Sequence, residues 1–133
     1  MIESFDDNVG KVMDALDRLD LAKNTIVVFY SDNGGNMYNL VDGGTATSNA
    51  PFRGGKASMY EGGVRVPALF IWPGVVKENS TSEALIQSED LYVTLLEMAG
   101  LNVDKQQALD SISAVPALKG EAGSRKAVFT YFP

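Results

Sequence analysis

Asp32 and Asn33 stand side by side in Ser31-Asp32-Asn33-Gly34-Gly35, directly after the apolar run Thr25-Ile26-Val27-Val28-Phe29-Tyr30. Both carry hard oxygen donors, the kind that Ca²⁺ and Mg²⁺ select. The glycines behind them let the backbone turn sharply and approach a ligand closely. The same residue types also make ordinary turns, because Asp and Asn hydrogen-bond to nearby backbone. Ca²⁺ takes about six to eight oxygens, so this pair supplies only part of a coordination sphere. Further on, Asn49-Ala50-Pro51-Phe52-Arg53-Gly54-Gly55-Lys56 presents Lys56 behind two more glycines. Its compact ammonium suits an oxyanion. Tyr60-Glu61-Gly62-Gly63-Val64-Arg65-Val66-Pro67 closes the stretch. Arg53 and Arg65 read as structural cations that pair with Glu61 or a carbonyl. Glu61 has no partner acid or nucleophile and reads as a loop anchor rather than a general base. Tyr38, Asn39 and Asn49 are candidates to line a pocket. Ser58, Ser88 and Ser124 are poor nucleophiles, because the chain has no histidine to activate them.

These residues need elements to hold them. The unbroken apolar run 25–30 predicts a buried strand. In α/β sheets, ligands bind beyond the carboxyl ends of strands, where Asp32 and Asn33 fall. Ile2, Phe5, Val9, Val12, Met13, Leu16 and Leu19 recur at helical spacing and predict an amphipathic helix over 2–20. Asp14 and Arg18 form an i,i+4 pair on its polar face. Gly10 weakens the helix centre, which suggests close packing there. The apolar stripe should cover the sheet. A loop of about 25 residues over 31–55 is long for a compact domain and usually functional or mobile. One helical turn is expected over 57–61, ended by Gly62 and Gly63, then a second buried strand over 66–72. Pro73-Gly74 is a turn, and 84–87 a short strand. Ser88 is the expected N-cap of a helix running to about Ala99, with Leu91, Leu95, Leu96 and Met98 inward and Gly100 just past its end. A short turn over 114–118 and a final strand over 127–132 complete the reading.

The 133 residues are 45% hydrophobic and 21% charged, which fits one soluble globular unit. A net charge of −6 excludes nucleic acid as a partner, since phosphate binding needs clustered Lys and Arg. No apolar run reaches the roughly 20 residues of a membrane span, and no leader pattern follows Met1. The absence of Cys and His rules out disulfides, thiol nucleophiles and the commonest general base.

In these blocks the chain resembles the sulfatase family of the alkaline phosphatase-like superfamily. T-I-V-V-F-Y-S-D-N-G-G, N-A-P-F-R-G-G-K and Y-E-G-G-V-R-V-P occur in the family's order and approximate spacing. Ser88-Glu89-Asp90-Leu91-Tyr92-Val93-Thr94-Leu95-Leu96-Glu97-Met98-Ala99-Gly100 is similar to a fourth family block. Residues 1–10 are similar to the helix before the family's metal strand. The resemblance covers nearly the whole chain. Val93 stands where Pro is common, and Ser111 replaces the Gly of a D-G-x-S-L pattern at Asp110-Ser111-Ile112-Ser113, which puts that turn's geometry in question.

The resemblance implies an α/β fold, a mixed sheet flanked by helices 2–20 and 88–99, as part of a larger domain. It implies sulfate-ester hydrolysis. Asp32 and Asn33 would hold Ca²⁺, or Mg²⁺ in its place, and Lys56 would bind the sulfate and act in catalysis. Sulfatases carry their formylglycine nucleophile in a C/S-x-P-x-R motif, and no such motif occurs in these residues. Residues 1–133 are therefore expected to be one domain fragment that lacks the nucleophile-bearing part and is inactive by itself. The implied substrates are small sulfate esters or sulfated sugars. The family points to a periplasmic, secreted or lysosomal-type compartment. The exposed sheet surface invites a homo-oligomer. Two other readings stay open: a phosphoesterase or phosphonate hydrolase of the same superfamily, and a non-catalytic interaction module.

Overall fold

The computed structural model describes residues 2–38, 40–41, 44–45, 47–104, 106–107, 110–123 and 125–131. The periodic apolar residues at the start form helix α1, Ile2–Arg18. A 3-10 turn at Ala22–Asn24 leads into strand β1, Val27–Tyr30. Two short strands follow, β2 (Leu40–Val41) and β3 (Gly44–Thr45), and then a one-turn helix α2, Glu61–Val64. Strand β4 is Ala68–Ile71, α3 is Asp90–Met98 and α4 is Val115–Leu118.

β1 pairs antiparallel with β4, with Val27 opposite Ile71 and Tyr30 opposite Ala68. β2 and β3 form a separate antiparallel pair. The α/β class holds, and a mixed sheet requires strands beyond these four. The register sets Ser31 against Pro67, whose carbonyl accepts the Ser31 N–H at 3.3 Å. The chain therefore leaves the sheet at the Asp32 end.

The core lies at the other end of the sequence. Leu91, Met98, Ala114 and Val115 are buried together with Thr94 and Asp90, and α3 packs on α4 rather than on the sheet. Thr94 bolts the two segments together. Its hydroxyl donates to the Asp90 carbonyl at 2.6 Å and accepts from the Ala114 N–H at 2.9 Å. Leu91 and Met98 point inward as expected, whereas Leu95 is exposed. α3 stops where Gly100 adopts φ +70°. The N–H groups of Gly100 and Leu101 then return to the carbonyls of Glu97 and Leu96 at 3.0 and 2.8 Å, which closes the last turn in a Schellman motif.

Several sequence expectations are corrected. The two strands are not buried: Phe29, Tyr30, Leu69 and Ile71 are all exposed. α1 buries none of its residues; Ile2 is 81% and Phe5 54% exposed. Its one recorded aromatic contact is Phe5 against Phe29, ring centroids 5.8 Å apart. A side chain at Gly10 would meet nothing within 4 Å, so close packing does not explain that glycine here. The helical turn falls on 61–64, not 57–61, and takes in Gly62 and Gly63. Residues 84–87 and 127–131 form no strand, and Phe132 lies outside the described residues. Ser88 is not the cap of α3. That position is Glu89, without a side-chain cap bond.

Candidate functional site

The candidate site is held by backbone, and three Gly-Gly pairs build it. The Gly34 N–H donates to the Gly63 carbonyl at 2.9 Å, and the Gly62 N–H donates to the Arg53 carbonyl at 2.8 Å. A β-carbon on Gly34 would stand 1.7 Å from the Gly62 carbonyl oxygen, and one on Gly62 would stand 2.2 Å from that of Gly54. Only chains without side chains can approach so closely. The Lys56 N–H donates to the Gly35 carbonyl at 3.1 Å. That bond brings the backbone of Lys56 beside the turn carrying Asp32 and Asn33.

Asn49 fixes the mouth of the loop. Its carbonyl oxygen accepts the Gly35 N–H at 2.8 Å, and its amide donates to the Gly35 and Gly54 carbonyls at 2.9 and 3.1 Å. It was a candidate to line a pocket, and the structure makes it a clamp with both ends engaged. The Ala50-Pro51 bond next to it is cis. Tyr38 is exposed in the loop, and Asn39 lies outside the described residues. Arg65 forms an i,i+4 ion pair with Glu61 at 3.2 Å and lies over Phe52. Arg53 lies over Tyr60, 3.9 Å from the ring centroid. Arg65 and Glu61 form the structural pair expected of them, whereas Arg53 stacks on Tyr60 instead of pairing with Glu61 or a carbonyl.

The donors themselves are accessible. Asp32 is exposed, and one of its carboxylate oxygens accepts the Asn33 N–H at 2.9 Å. The Asn33 amide donates to the Gly34 carbonyl at 2.9 Å, while Ser31 Oγ donates to the Asn33 carbonyl at 2.8 Å. Lys56 is exposed, and no hydrogen bond or ion pair of its ammonium is recorded among the described residues. An open hollow of about 600 Å³, lined by Phe5, Phe29, Tyr30, Ser31 and Asp32, adjoins the turn. No group of three or more Asp, Glu, His or Cys gathers among the described residues. The donor set is oxygen only, with one carboxylate and one amide side by side, and fits part of the shell of a hard divalent cation.

A second charged centre escaped the sequence reading. Asp90 is 1% exposed, and Arg125 grips it with two hydrogen bonds, Nε to Oδ2 at 2.7 Å and Nη2 to Oδ1 at 2.6 Å. The N–H groups of Gln87 and Ile112 also donate to the carboxylate, at 2.9 and 2.7 Å. Arg125 further pairs with Glu89 at 3.1 Å and donates to the Asp110 carbonyl. Burial pushes the Asp90 pKa up. The Arg125 hydrogen bond, the two amides and the arginine charge outweigh it and hold the carboxyl below its usual range. The Asp90 hydrogen bond raises Arg125 in turn. Ser111, at the family's glycine position, donates to the Glu89 carbonyl at 2.7 Å. That bond ties the altered turn to the start of α3. Asp90 is visible in the sequence, but its partner stands 35 residues away, with no spacing rule to connect them.

The family model described as Sulfatase matches residues 1–101. The chain belongs to the sulfatase family. It is 37% identical to N-acetylgalactosamine-6-sulfatase of Mus musculus over 131 residues, 98% of this chain and 25% of that one. A sulfatase of Formosa agariphila is 38% identical over 146 aligned positions, covering 99% of this chain and 25% of the relative. Among solved structures, Ps i-CgsB is 38% identical with a TM-score of 0.79, covering 91% of this chain and 26% of that one. It has also been solved with k-i-k-neocarrahexaose. PsFucS1 sulfatase from Pseudoalteromonas sp. is 28% identical with a TM-score of 0.77, covering 95% and 25%. This sulfatase chain therefore spans about a quarter of the length of the relatives it matches. No described helix is long and apolar enough to cross a membrane.

Proposed function

We propose that residues 1–133 supply the part of a sulfatase active site that binds metal and sulfate, for hydrolysis of a sulfuric ester, a small-molecule sulfate or a sulfated sugar. One observation carries the reading. Interlocked glycines tie the backbone of Lys56 to Gly35, beside Asp32 and Asn33, and leave the Lys56 ammonium without a recorded partner. A cation held with no competing ion pair is prepared to meet the charge that develops on sulfuryl oxygens when the ester S–O bond breaks. Asp32 and Asn33 would hold the divalent cation, Ca²⁺ or Mg²⁺, whose charge offsets that of the bound sulfate. The nucleophile is expected outside these residues, so the chain alone should not turn over substrate. The relatives name two substrate classes, carbohydrates in N-acetylgalactosamine-6-sulfatase and the neocarrahexaose complex and sterols in the steryl-sulfatases of Rattus norvegicus and Mus musculus.

The test places residues 1–133 in the Formosa agariphila sulfatase, in place of its matching quarter. A sulfated monosaccharide, an aryl sulfate and the corresponding phosphate monoesters serve as substrates. The expected result is metal-dependent sulfate release that drops about a hundredfold or more in Lys56→Ala. A folded chimera that hydrolyses only phosphate esters, or that is indifferent to Lys56→Ala, would sink the reading.

A further inference from the structure

Lys56 stands on a tight turn that the next residue does not favour. The Ser58 N–H donates to the Gly55 carbonyl at 3.0 Å, which closes a four-residue turn with Lys56 and Ala57 at its centre. Ala57 has φ +68°, whereas Lys56 keeps a negative φ. That is the pattern of a type II turn, which calls for Gly or Asn at its third position. An alanine is disfavoured there, because its β-carbon crowds the following carbonyl oxygen. The Ser58 side chain supplies what holds it. Its hydroxyl donates to the Gly55 carbonyl at 2.8 Å and accepts the Gly55 N–H at 3.3 Å, so the end of the turn is tied to its start. Glycines pack around this hydroxyl: a β-carbon on Gly54 would stand 2.5 Å from it, and one on Gly63 2.9 Å. Gly63 in turn accepts the Gly34 N–H at 2.9 Å, and the Lys56 N–H donates to the Gly35 carbonyl at 3.1 Å. The turn is thus fastened on two sides to the segment that carries Asp32 and Asn33.

We infer that Ser58 is a positioning residue for Lys56, and that its hydroxyl acts by holding Ala57 in the left-handed conformation. This role presupposes the sulfatase reading of Lys56 given above. Ser58 itself is not a nucleophile: the chain has no histidine to activate it, and its hydroxyl is engaged with Gly55 as donor and as acceptor. Strained backbone persists only where its surroundings over-determine it, and it gathers where placement matters. Without the hydroxyl, Ala57 relaxes toward negative φ and the peptide plane between Lys56 and Ala57 rotates. The ammonium sits at the tip of a flexible four-carbon stem, so a rotation at its root displaces it. A fixed cation stabilises developing charge only when it is in place before the bond breaks. Displacement therefore lowers kcat more than it weakens ground-state binding.

A double-mutant cycle tests this in the Formosa agariphila sulfatase chimera, with an aryl sulfate as substrate. Ser58→Ala should lower kcat about tenfold with KM little changed. In the Lys56→Ala background the same substitution should cause no further loss, because the group it displaces is gone. Ala57→Gly accepts a positive φ without strain, so adding it to Ser58→Ala should restore most of the lost rate. A serine with a merely structural role would lower the rate in both backgrounds and would not be rescued. Either result overturns the inference and leaves the reading of Lys56 standing. If Lys56→Ala itself has no effect, that reading falls and takes the inference with it. Amide hydrogen exchange on the 133-residue chain gives a readout that needs no chimera. Ser58→Ala should speed exchange at Lys56 and Ser58 about tenfold, Ala57→Gly should slow it again, and the amides of α3 should not change. Unchanged exchange at Lys56 and Ser58, or loss of protection across α3 as well, overturns the inference.

Discussion

Two aspartates are handled in opposite ways. Asp90 is buried and its carboxylate is saturated by Arg125 and two backbone N–H groups. Asp32 is exposed and meets a single N–H, while Lys56 stands without a recorded partner. The first arrangement spends its hydrogen-bonding capacity inside the chain and fixes where Asp110, Ile112 and Arg125 lie against α3. The second positions its residues through glycine backbone and leaves their charged ends free. Residue type alone does not separate a charge used inside the chain from one left open to solvent. What separates them is whether the chain satisfies the group itself.

The largest effect should come from the backbone scaffold. Gly34→Ala drives a β-carbon into the Gly62 carbonyl, and no flexible side chain can yield. We expect a loss of more than about 4 kcal/mol, read as a collapse of the denaturant midpoint or failure to fold. A stable Gly34→Ala protein would show that the glycine pairs are not the scaffold.

Next, Arg125→Ala leaves a buried carboxylate without its cation and should cost about 3 kcal/mol in urea unfolding. Asp90→Asn tests the same corner by acid titration. The Asp90 pKa is lowered in the folded state. Its contribution is therefore complete above the ordinary carboxylate value of about 3.9 and is lost as pH falls through the lowered folded-state pKa. Asp90→Asn should flatten this acid limb of the stability curve. An unchanged limb would mean that other carboxylates set it.

The smallest effect is expected at the proposed site itself. Asp32→Ala and Lys56→Ala remove exposed groups that hold nothing within the chain, so each should shift stability by no more than about 0.5 kcal/mol. If either destabilised the chain as strongly as Arg125→Ala, the contrast between the two aspartates would disappear.

Local signals were the legible ones. The stripe of α1 and the Gly100 stop of α3 are written in residue spacing, and both elements formed within two residues of their expected ends. Asp32, Asn33 and Lys56 were found as blocks of donor and glycine. What joins them was not, because interlocking glycines from three separate blocks is a three-dimensional property. The spacing of Gly34-Gly35, Gly54-Gly55 and Gly62-Gly63 was a usable signal, since paired glycines recur beside each site residue. Burial was misjudged at β1 and β4 for a different reason. An apolar run signals a strand, but whether another layer covers that strand is a tertiary property that the run does not encode.

Asn49 also separates two design problems. One amide side chain ties Gly35 to Gly54, so the chain between Gly35 and Asn49 hangs from a closed neck. Doubling the length of a flexible loop costs only about 0.6 kcal/mol in closure entropy. Below the neck, the spacing between Lys56 and the Asp32 turn is locked. Above it, insertions and deletions meet little thermodynamic resistance. Changes of length between Gly35 and Asn49 should therefore leave the Asp32 turn and the Lys56 backbone in place.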